Sequence, residues 1–121
     1  MATFKSFEEI EAWQKARALT RQIYDVSGKG KFSRDYGLRD QIRRASVSVM
    51  SNIAEGFERG GRKEFSQFLG FASGSVGEVR SQLYVAVDQG YLDKKEGEDL
   101  LSTATEISRM ITSLIQYLRK Q

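Results

Sequence analysis

Apolar residues recur every three or four positions along most of the chain, which is the period of a helix buried on one side. In the first such stretch these residues are Ile10, Trp13, Ala16, Leu19, Ile23 and Tyr24. In the last they are Leu100, Ala104, Ile107, Ile111, Leu114 and Leu118, and their 4-3-4-3-4 spacing suits near-parallel packing in a bundle. The pattern predicts amphipathic helices rather than strands.

Capping residues and glycines divide the chain into four predicted helices, over residues 7–26, 34–58, 62–89 and 94–119. Ser6 with Glu9, and Asp93 with Glu96, have capping-box spacing, so they are predicted to begin the first and last helices. Ser33 is predicted to cap the second helix. Glycine pairs or single glycines are predicted to end the helices before them: Gly28, Gly30, Gly60, Gly61 and Gly90.

The predicted joints between helices are only a few residues long, and short joints force antiparallel neighbours. The predicted architecture is therefore all-α, an antiparallel up-down-up-down four-helix bundle. The chain has 121 residues and no proline, which suits long uninterrupted helices with enough sequence for one core. No repeat or linker divides it, so residues 1–121 are expected to form a single domain.

The second predicted helix has two apolar faces. One spans an arc of about 80° and is the expected core face: Leu38, Ile42, Ala45, Val49 and Ile53. The other lies about 100° to 180° round the helix: Tyr36, Val47, Met50, Ala54 and Phe57. One core cannot bury both, so the second face is expected to meet another subunit. The alternative is that three neighbouring helices cover a wide apolar arc.

Small residues line one side of the third predicted helix, next to its core face: Ser66, Gly70, Ser73, Gly74, Gly77 and Ser81. Each glycine inside a helix costs about 1 kcal/mol relative to alanine, so the three glycines together cost about 3 kcal/mol. Close approach by another helix would offset that cost. That helix is expected to belong to the same bundle or to a neighbouring protomer, and a flexible third helix is the alternative.

A polar stripe borders the core face of the second helix: Gln41, Arg44, Ser48, Asn52 and Glu55. Antiparallel packing about Gly60 and Gly61 would bring Arg43 and Arg44 level with Glu78. An interhelical Arg–Glu78 pair is therefore expected, with Asn52 bonded to backbone or to a facing polar side chain. The alternatives for this stripe are a solvated face and, for Arg44, Asn52, Glu55 and Glu78, a buried acid–base cluster.

Composition excludes most catalytic chemistry. The chain contains no cysteine and no histidine, which rules out disulfides, Cys/His zinc sites, histidine bases and the Glu-x-x-His pairs of di-iron bundles. No catalytic residue, metal site or cofactor is expected, and the chain is not expected to be an enzyme. It also lacks an apolar stretch that suits a membrane span or a secretory signal, so a cytoplasmic location is expected.

Charge is unevenly distributed about a formal total of +3. Residues 15–63 hold 12 Lys+Arg and five Asp+Glu, a net charge of +7, whereas residues 64–106 carry a net charge of −5. The cations that an up-down bundle would gather at its two ends are candidate nucleic-acid contacts: Lys29, Lys31 and Arg34 at one end, and Arg59, Arg62 and Lys63 at the other. Phe32 is expected to offer a ring to a base beside the first set. Solvated helix ends are the alternative.

Three strings of residues resemble a known family: Gln41-Ile-Arg-Arg-Ala45, Asn52-Ile-Ala-Glu-Gly56 and Gly74-Ser-x-x-Glu78. In this order and spacing they are similar to the bacterial four-helix bundle family named for reading frames in the intervening sequences of 23S ribosomal RNA genes. The resemblance covers nearly the whole chain. It implies a homopentameric ring, no catalytic residue, and a similarity to the accessory proteins of diversity-generating retroelements, which bind nucleic acid and a reverse transcriptase.

Two functions are expected from these observations. The first is an oligomeric, non-enzymatic protein that binds RNA or DNA through basic loops and helix ends. The second is a scaffold that binds other proteins without nucleic acid. In either case the oligomer interface is expected to use residues from the second and third helices: Val47, Met50, Ala54, Phe57, Gly70, Gly74 and Gly77.

Overall fold

The computed structural model describes residues 4–120, so Met1–Thr3 and Gln121 lie outside the described residues. Four helices make up this part of the chain: α1 (Glu11–Ser27), α2 (Tyr36–Glu58), α3 (Arg62–Asp88) and α4 (Lys94–Lys120). Short 3-10 turns precede α1 and α2, at Phe7–Glu9 and Phe32–Arg34. Residues 4–120 contain no strand, which confirms the all-α prediction.

The helices pack in the order in which they follow one another. α2 contacts α1 and α3, α4 contacts α3 and α1, and the diagonal pairs do not form comparable interfaces within residues 4–120. This is the arrangement of an up-down-up-down bundle. No helix in the described part of the chain is long and apolar enough to cross a membrane.

The core lies along the bundle axis and receives apolar side chains from every helix. Representative members are at most 1% exposed: Leu19 in α1, Ile53 in α2, Leu83 in α3 and Ile107 in α4. Burying a side chain of this size stabilises the fold by about 1.5–3 kcal/mol. The predicted core face of α2 is buried along its whole length.

Two helices begin later than predicted, α1 at Glu11 rather than at residue 7 and α2 at Tyr36 rather than at residue 34. Ser6 makes no capping bond, and Phe7–Glu9 forms a 3-10 turn that ends at an extended Ile10 before α1 begins. Ser33 lies inside the second 3-10 turn, and the cap of α2 is instead Asp35, whose Oδ1 accepts a 3.1 Å hydrogen bond from the Leu38 amide. A carboxylate suits this position because it also complements the helix dipole.

The predicted capping box of α4 is confirmed. The Glu96 amide donates to Asp93 Oδ1 at 2.8 Å, and the Asp93 amide donates to Glu96 Oε1 at 3.0 Å. At the joint between α2 and α3, Gly60 has a φ of +85°, a conformation that side chains other than glycine adopt at a cost.

The register of α2 against α3 follows from a direct contact between their polar sides. Ser48 Oγ and Ser75 Oγ lie 2.9 Å apart and share a hydrogen bond. Nearer the joint, Gly56 packs so tightly that an added Cβ would lie 2.6 Å from Phe68 Cβ. This register places Arg44 and Glu78 on the same groove, as the antiparallel prediction requires.

Candidate functional site

The α1–α2 side of the bundle presents arginines and aromatic rings together. We name it the arginine–aromatic face, and its members are Arg17, Arg21, Tyr24, Tyr36, Arg39 and Arg43. Three of the arginines lie over rings: Arg17 over Trp13 at 5.8 Å, Arg43 over Tyr24 at 4.5 Å, and Arg39 over Tyr36 at 4.8 Å from the centroid. Residues 15–63 therefore carry arginines along α1 and α2 as well as cations at the bundle ends.

Arg43 anchors this face to the bundle. Its Nε donates to the hydroxyl of the buried Ser27 at 2.8 Å, and its Nη2 donates to the Tyr24 carbonyl at 3.2 Å. The expectation that Arg43 pairs with Glu78 is therefore wrong, because the side chain leaves α2 toward α1 rather than toward α3. The guanidinium holds the Tyr24 ring in place while 45% of that residue stays exposed.

Tyr36 is the most accessible ring of the face, with 64% of its surface exposed. Arg39 covers one side of it and is itself held by the Ser33 carbonyl and by Asp40, each at 3.0 Å. A planar ring with one open side and a cation beside it can stack on a base while the cation meets a phosphate.

A polar groove of about 470 Å³ runs between α2 and α3. We name it the α2–α3 groove, and its lining residues are Gln41, Arg44, Ala45, Ser48, Glu78 and Gln82. Arg44 and Glu78 make no ion pair or hydrogen bond with any residue that the structure describes, so the expected Arg44–Glu78 pair is also absent. Gln82 Oε1 is buried and accepts no hydrogen bond from residues 4–120.

The other two polar residues of the predicted cluster are used locally. The side-chain amide of Asn52 donates to the Ser48 carbonyl at 2.9 Å and to the Ser48 hydroxyl at 3.0 Å. The expectation that Asn52 bonds to backbone is therefore confirmed. Glu55 is exposed and forms an i,i+4 ion pair with Arg59 at 3.2 Å. Asn52 and Glu55 do not line the α2–α3 groove that contains Arg44 and Glu78. The structure therefore does not bring these four residues together as an acid–base cluster.

The end of the bundle that contains Lys29, Lys31 and Arg34 was expected to place these cations beside an exposed Phe32 ring. Phe32 is 1% exposed and stacks on Tyr91 at 5.3 Å, so the expectation that it offers its ring to a base is wrong. Lys29 pairs with Asp25 at 3.1 Å. Lys31 and Arg34 are exposed at this end: Lys31 directly precedes the 3-10 turn, and Arg34 is its last residue.

A hydrogen bond between two titratable side chains, Tyr91 and Asp35, lies at the same end of the bundle. The Tyr91 hydroxyl donates to Asp35 Oδ2 at 2.9 Å. This hydrogen bond, with smaller contributions from desolvation and from the carboxylate charge, raises the pKa of Tyr91 above its ordinary value of 10.0. The contact is structural, because Asp35 is also the cap of α2.

At the opposite end, the start of α3 and the end of α4 bring cations together. Arg62, Lys63 and Arg119 line a cavity of about 360 Å³ with Ser66 and Leu118. Arg59 lies nearby in sequence, over the Phe68 ring at 5.0 Å. Of the two predicted basic ends, this one gathers more cations around one cavity.

The expected interface residues of α2 are only partly available. Val47 is 38% exposed, whereas Met50, Ala54 and Phe57 are half-buried. Met50 and Phe57 pack on the protomer's own core, and the Phe57 ring meets Phe65 edge-on at 6.0 Å. The second apolar face of α2 is therefore shared between this core and the surface.

The glycines of α3 face away from the rest of the described chain. A Cβ placed at Gly70, Gly74 or Gly77 would meet no atom within 4 Å. Residues 4–120 therefore supply no helix that approaches the glycines, which excludes the same-bundle explanation of the small-residue stripe. Three large apolar residues are exposed on the same helix: Phe71, Tyr84 and Val85.

The sequence reasoning missed the arginine–aromatic face, although the signal was present. Arg17, Arg21 and Tyr24 follow one another at helical spacing, and so do Tyr36, Arg39 and Arg43. The apolar pattern groups Tyr24 and Tyr36 with core-type residues and does not show that Arg43 of α2 lies over Tyr24 of α1 or that Arg39 lies over Tyr36.

Comparisons with known proteins identify the family and support the fold. The family model described as "23S rRNA-intervening sequence protein" matches residues 8–113. The structure is similar, with a TM-score of 0.78 and 21% identity, to a protein with unknown function from the S23 ribosomal protein family of Bacteroides thetaiotaomicron VPI-5482. That alignment covers 86% of this chain and 97% of the other, and it supports the four-helix fold. No curated protein matches the chain. The chain belongs to the family of 23S rRNA-intervening sequence proteins.

Proposed function

We propose that this protein is a non-enzymatic, homo-oligomeric helical bundle that binds single-stranded RNA or DNA through its arginine–aromatic face. The observation that carries the proposal is the pairing of exposed tyrosine rings with arginines on one surface. Tyr24 and Tyr36 are 45% and 64% exposed, and each has a guanidinium within 5 Å of its ring. Bases stack on such rings without regard to sequence, and arginines neutralise the phosphates.

The basic ends of the bundle extend this surface in the proposal. Lys31 and Arg34 lie beyond Tyr36, while Arg59, Arg62 and Lys63 serve the far end. Lys29 and Arg59 contribute less, because Asp25 and Glu55 already pair with them. A strand that follows α2 would pass from one cationic group to the next.

Self-association is part of the same proposal, with the pentameric ring that the family resemblance implies. Its interface joins the Val47–Phe57 part of α2 to the glycine-lined side of α3 in a neighbouring protomer. The support is that Val47 is exposed and that Gly70, Gly74 and Gly77 have open space beside them. A ring of protomers repeats the arginine–aromatic face around an axis. Several weak contacts to one strand then combine into a higher overall affinity.

Salt-dependent binding tests this function. The affinity for a fluorescently labelled oligo(U) strand should fall with salt along a log-log slope near −0.7 per neutralised phosphate. Replacing both Arg17 and Arg21 by Glu should lower that affinity and reduce the slope. The matched control replaces Arg80 and Arg109, two exposed arginines on α3 and α4, by Glu.

The two double variants carry the same net charge, so a difference between them locates the contact. Replacing Lys31 and Arg34 by Glu in a third variant separates the loop end from the helical face. No binding by the assembled protein at ~50 mM salt, where such contacts are strong, would contradict the proposal. An equal loss in the Arg17/Arg21 and Arg80/Arg109 variants would contradict the placement of the site.

A protein scaffold is the second candidate, because α3 exposes an unusually uncharged side. Between Phe65 and Val87 its only charged residues are Glu78 and Arg80, and Phe71 is 51% exposed. A scaffold would retain its partners in a pull-down after nuclease treatment and would lose them on Phe71→Glu. Partners that nuclease releases would instead favour nucleic-acid binding.

A further inference from the structure

Hydrogen-bonding groups in the α2–α3 groove are divided between its two walls. On the α3 wall, Glu78 and Gln82 lie one helical turn apart and present acceptor oxygens. On the α2 wall, Arg44 presents only donors, and Gln41 can supply either kind of group. An occupant that satisfies both walls must have a donor edge on one side and an acceptor edge on the other.

None of the principal groups is satisfied within the described chain. Gln82 Oε1 is buried without a donor, which ordinarily makes a buried polar atom destabilising and calls for an explanation. Arg44 and Glu78 are exposed and share the groove without forming an ion pair with each other or with any other described residue. The groove therefore offers acceptors on α3, one of them buried without a donor, and a guanidinium on α2 that no described carboxylate occupies.

We propose that the α2–α3 groove binds a guanine base, either as a free guanine nucleotide or as an unpaired guanine in a single strand. Guanine carries adjacent N1–H and N2–H donors that suit Glu78 and Gln82 Oε1. Its O6 and N7 acceptors suit a guanidinium such as that of Arg44, which is the commonest specific contact to this base.

The other bases fit this division of groups less well. Adenine and cytosine have one amino group beside an unprotonated ring nitrogen, which would face the Glu78 carboxylate. Uracil has a single N–H between two carbonyls. Inorganic phosphate suits the groove poorly, because Glu78 would repel it.

The groove opens beside the arginine–aromatic face. Arg44 also borders a depression of about 390 Å³ with Tyr24, Asp40, Arg43 and Val47. A strand lying on that face would therefore pass the mouth of the groove and could place a splayed base in it. This second source of guanine rests on the proposed nucleic-acid binding, whereas the free nucleotide does not.

Calorimetric titration of the full chain with GMP, AMP, CMP and UMP tests the inference. GMP should bind at least tenfold more tightly than each of the other three. Glu78→Gln and Gln82→Leu should each lower the GMP affinity at least tenfold. Neither should reduce helical content, since neither side chain has a partner among residues 4–120. Glu98→Gln, an exposed carboxylate on α4, is the matched control and should leave GMP binding unchanged.

Equal affinities for the four nucleotides, or GMP binding that survives both groove variants, would overturn the inference. To identify the source of the base, the same proteins are titrated with oligo(U) strands that differ by one guanine. A guanine-dependent gain that Glu78→Gln removes identifies a base in a strand, and GMP selectivity without that gain identifies the free nucleotide. Loss of oligo(U) binding with GMP selectivity intact would remove the proposed function but not the groove site.

Discussion

Tyr91 and Asp35 join two distant parts of the chain through a 2.9 Å hydrogen bond from the phenol to Oδ2. The other carboxylate oxygen of Asp35 caps α2 through the Leu38 amide. One side chain thus holds the start of α2 and the joint that follows α3. Phe32 completes the contact by stacking on the Tyr91 ring.

Removing this carboxylate should destabilise the bundle. Asp35→Ala loses the helix cap as well as the bond to Tyr91, and loss of an N-cap alone costs about 1 kcal/mol. Chemical denaturation followed by circular dichroism measures the change in the free energy of unfolding. Asp40→Ala is the control, since Asp40 is exposed and, within the described chain, pairs only with its neighbour Arg39. Similar losses in both variants would contradict the role of Asp35.

The same contact should give the protein a dependence on alkaline pH. Because the hydrogen bond raises the pKa of Tyr91 in the folded state, its contribution is fully present below the unfolded-state pKa near 10.0 and is lost as pH rises through the folded-state value. The stability difference between wild type and Tyr91→Phe should therefore stay constant up to about pH 10 and shrink as the pH rises further. Denaturation midpoints of both proteins measure it, and a constant difference would contradict this account.

Gly56 should not tolerate a methyl group. An added Cβ would lie 2.6 Å from Phe68 Cβ and 3.1 Å from Phe65 Cδ1, so α2 and α3 would have to separate. We expect Gly56→Ala to destabilise the fold by about 1–3 kcal/mol, the usual cost of overpacking. In Gly37→Ala the new methyl group would meet only Asp35 Oδ1 at 3.9 Å, so this control should be neutral or stabilise α2 by up to about 1 kcal/mol.

Charge at Val47 should disrupt the proposed oligomer without unfolding the protomer. Val47 is 38% exposed, so a glutamate there stays in water in the monomer but would be buried in an interface. Light scattering should show Val47→Glu approaching the 13.7 kDa mass of one chain, with helicity retained. Gly74→Leu should act in the same way from α3.

Tyr117→Glu serves as the control for this experiment, because Tyr117 is 41% exposed on α4. An unchanged oligomer in both the Val47 and Gly74 variants would contradict the proposed interface. Phe57→Glu is less informative, since the ring packs on Phe65 and its loss would disturb the core.

Tyr36 should contribute to nucleic-acid affinity through stacking. Removing an aromatic ring from such a contact costs about 1–3 kcal/mol per base, so Tyr36→Ala should weaken oligo(U) binding about fivefold or more. The fold should be unaffected, because Tyr36 is 64% exposed. Tyr117→Ala removes an exposed tyrosine elsewhere, and an equal loss in that variant would rule out a specific role for Tyr36.

The sequence predicted the helix boundaries well where residues close in sequence determine them. The starts at Arg62 and Lys94 and the capping box of Asp93 and Glu96 match the structure. The predicted start of α2 relied on Ser33 as the cap, but Ser33 lies in a 3-10 turn and Asp35, two residues later, caps the helix.

The candidate site was harder to predict because it depends on which way long side chains turn. Arg43 and Arg44 are adjacent in sequence, yet Arg43 turns to Ser27 on α1 while Arg44 lines the groove with α3. Helical spacing places a residue on a face but does not choose between the two neighbouring helices at its edges. The burial of Phe32 could not be predicted from local sequence either, because the ring stacks on Tyr91, which is remote in sequence.

The three-residue joint between α2 and α3 has a consequence for how the molecule is made. Both walls of the α2–α3 groove belong to this helical hairpin, so little loop-closure entropy opposes their meeting. Contacts between segments so near in sequence favour rapid assembly. We therefore expect the two walls of the groove to meet early in folding.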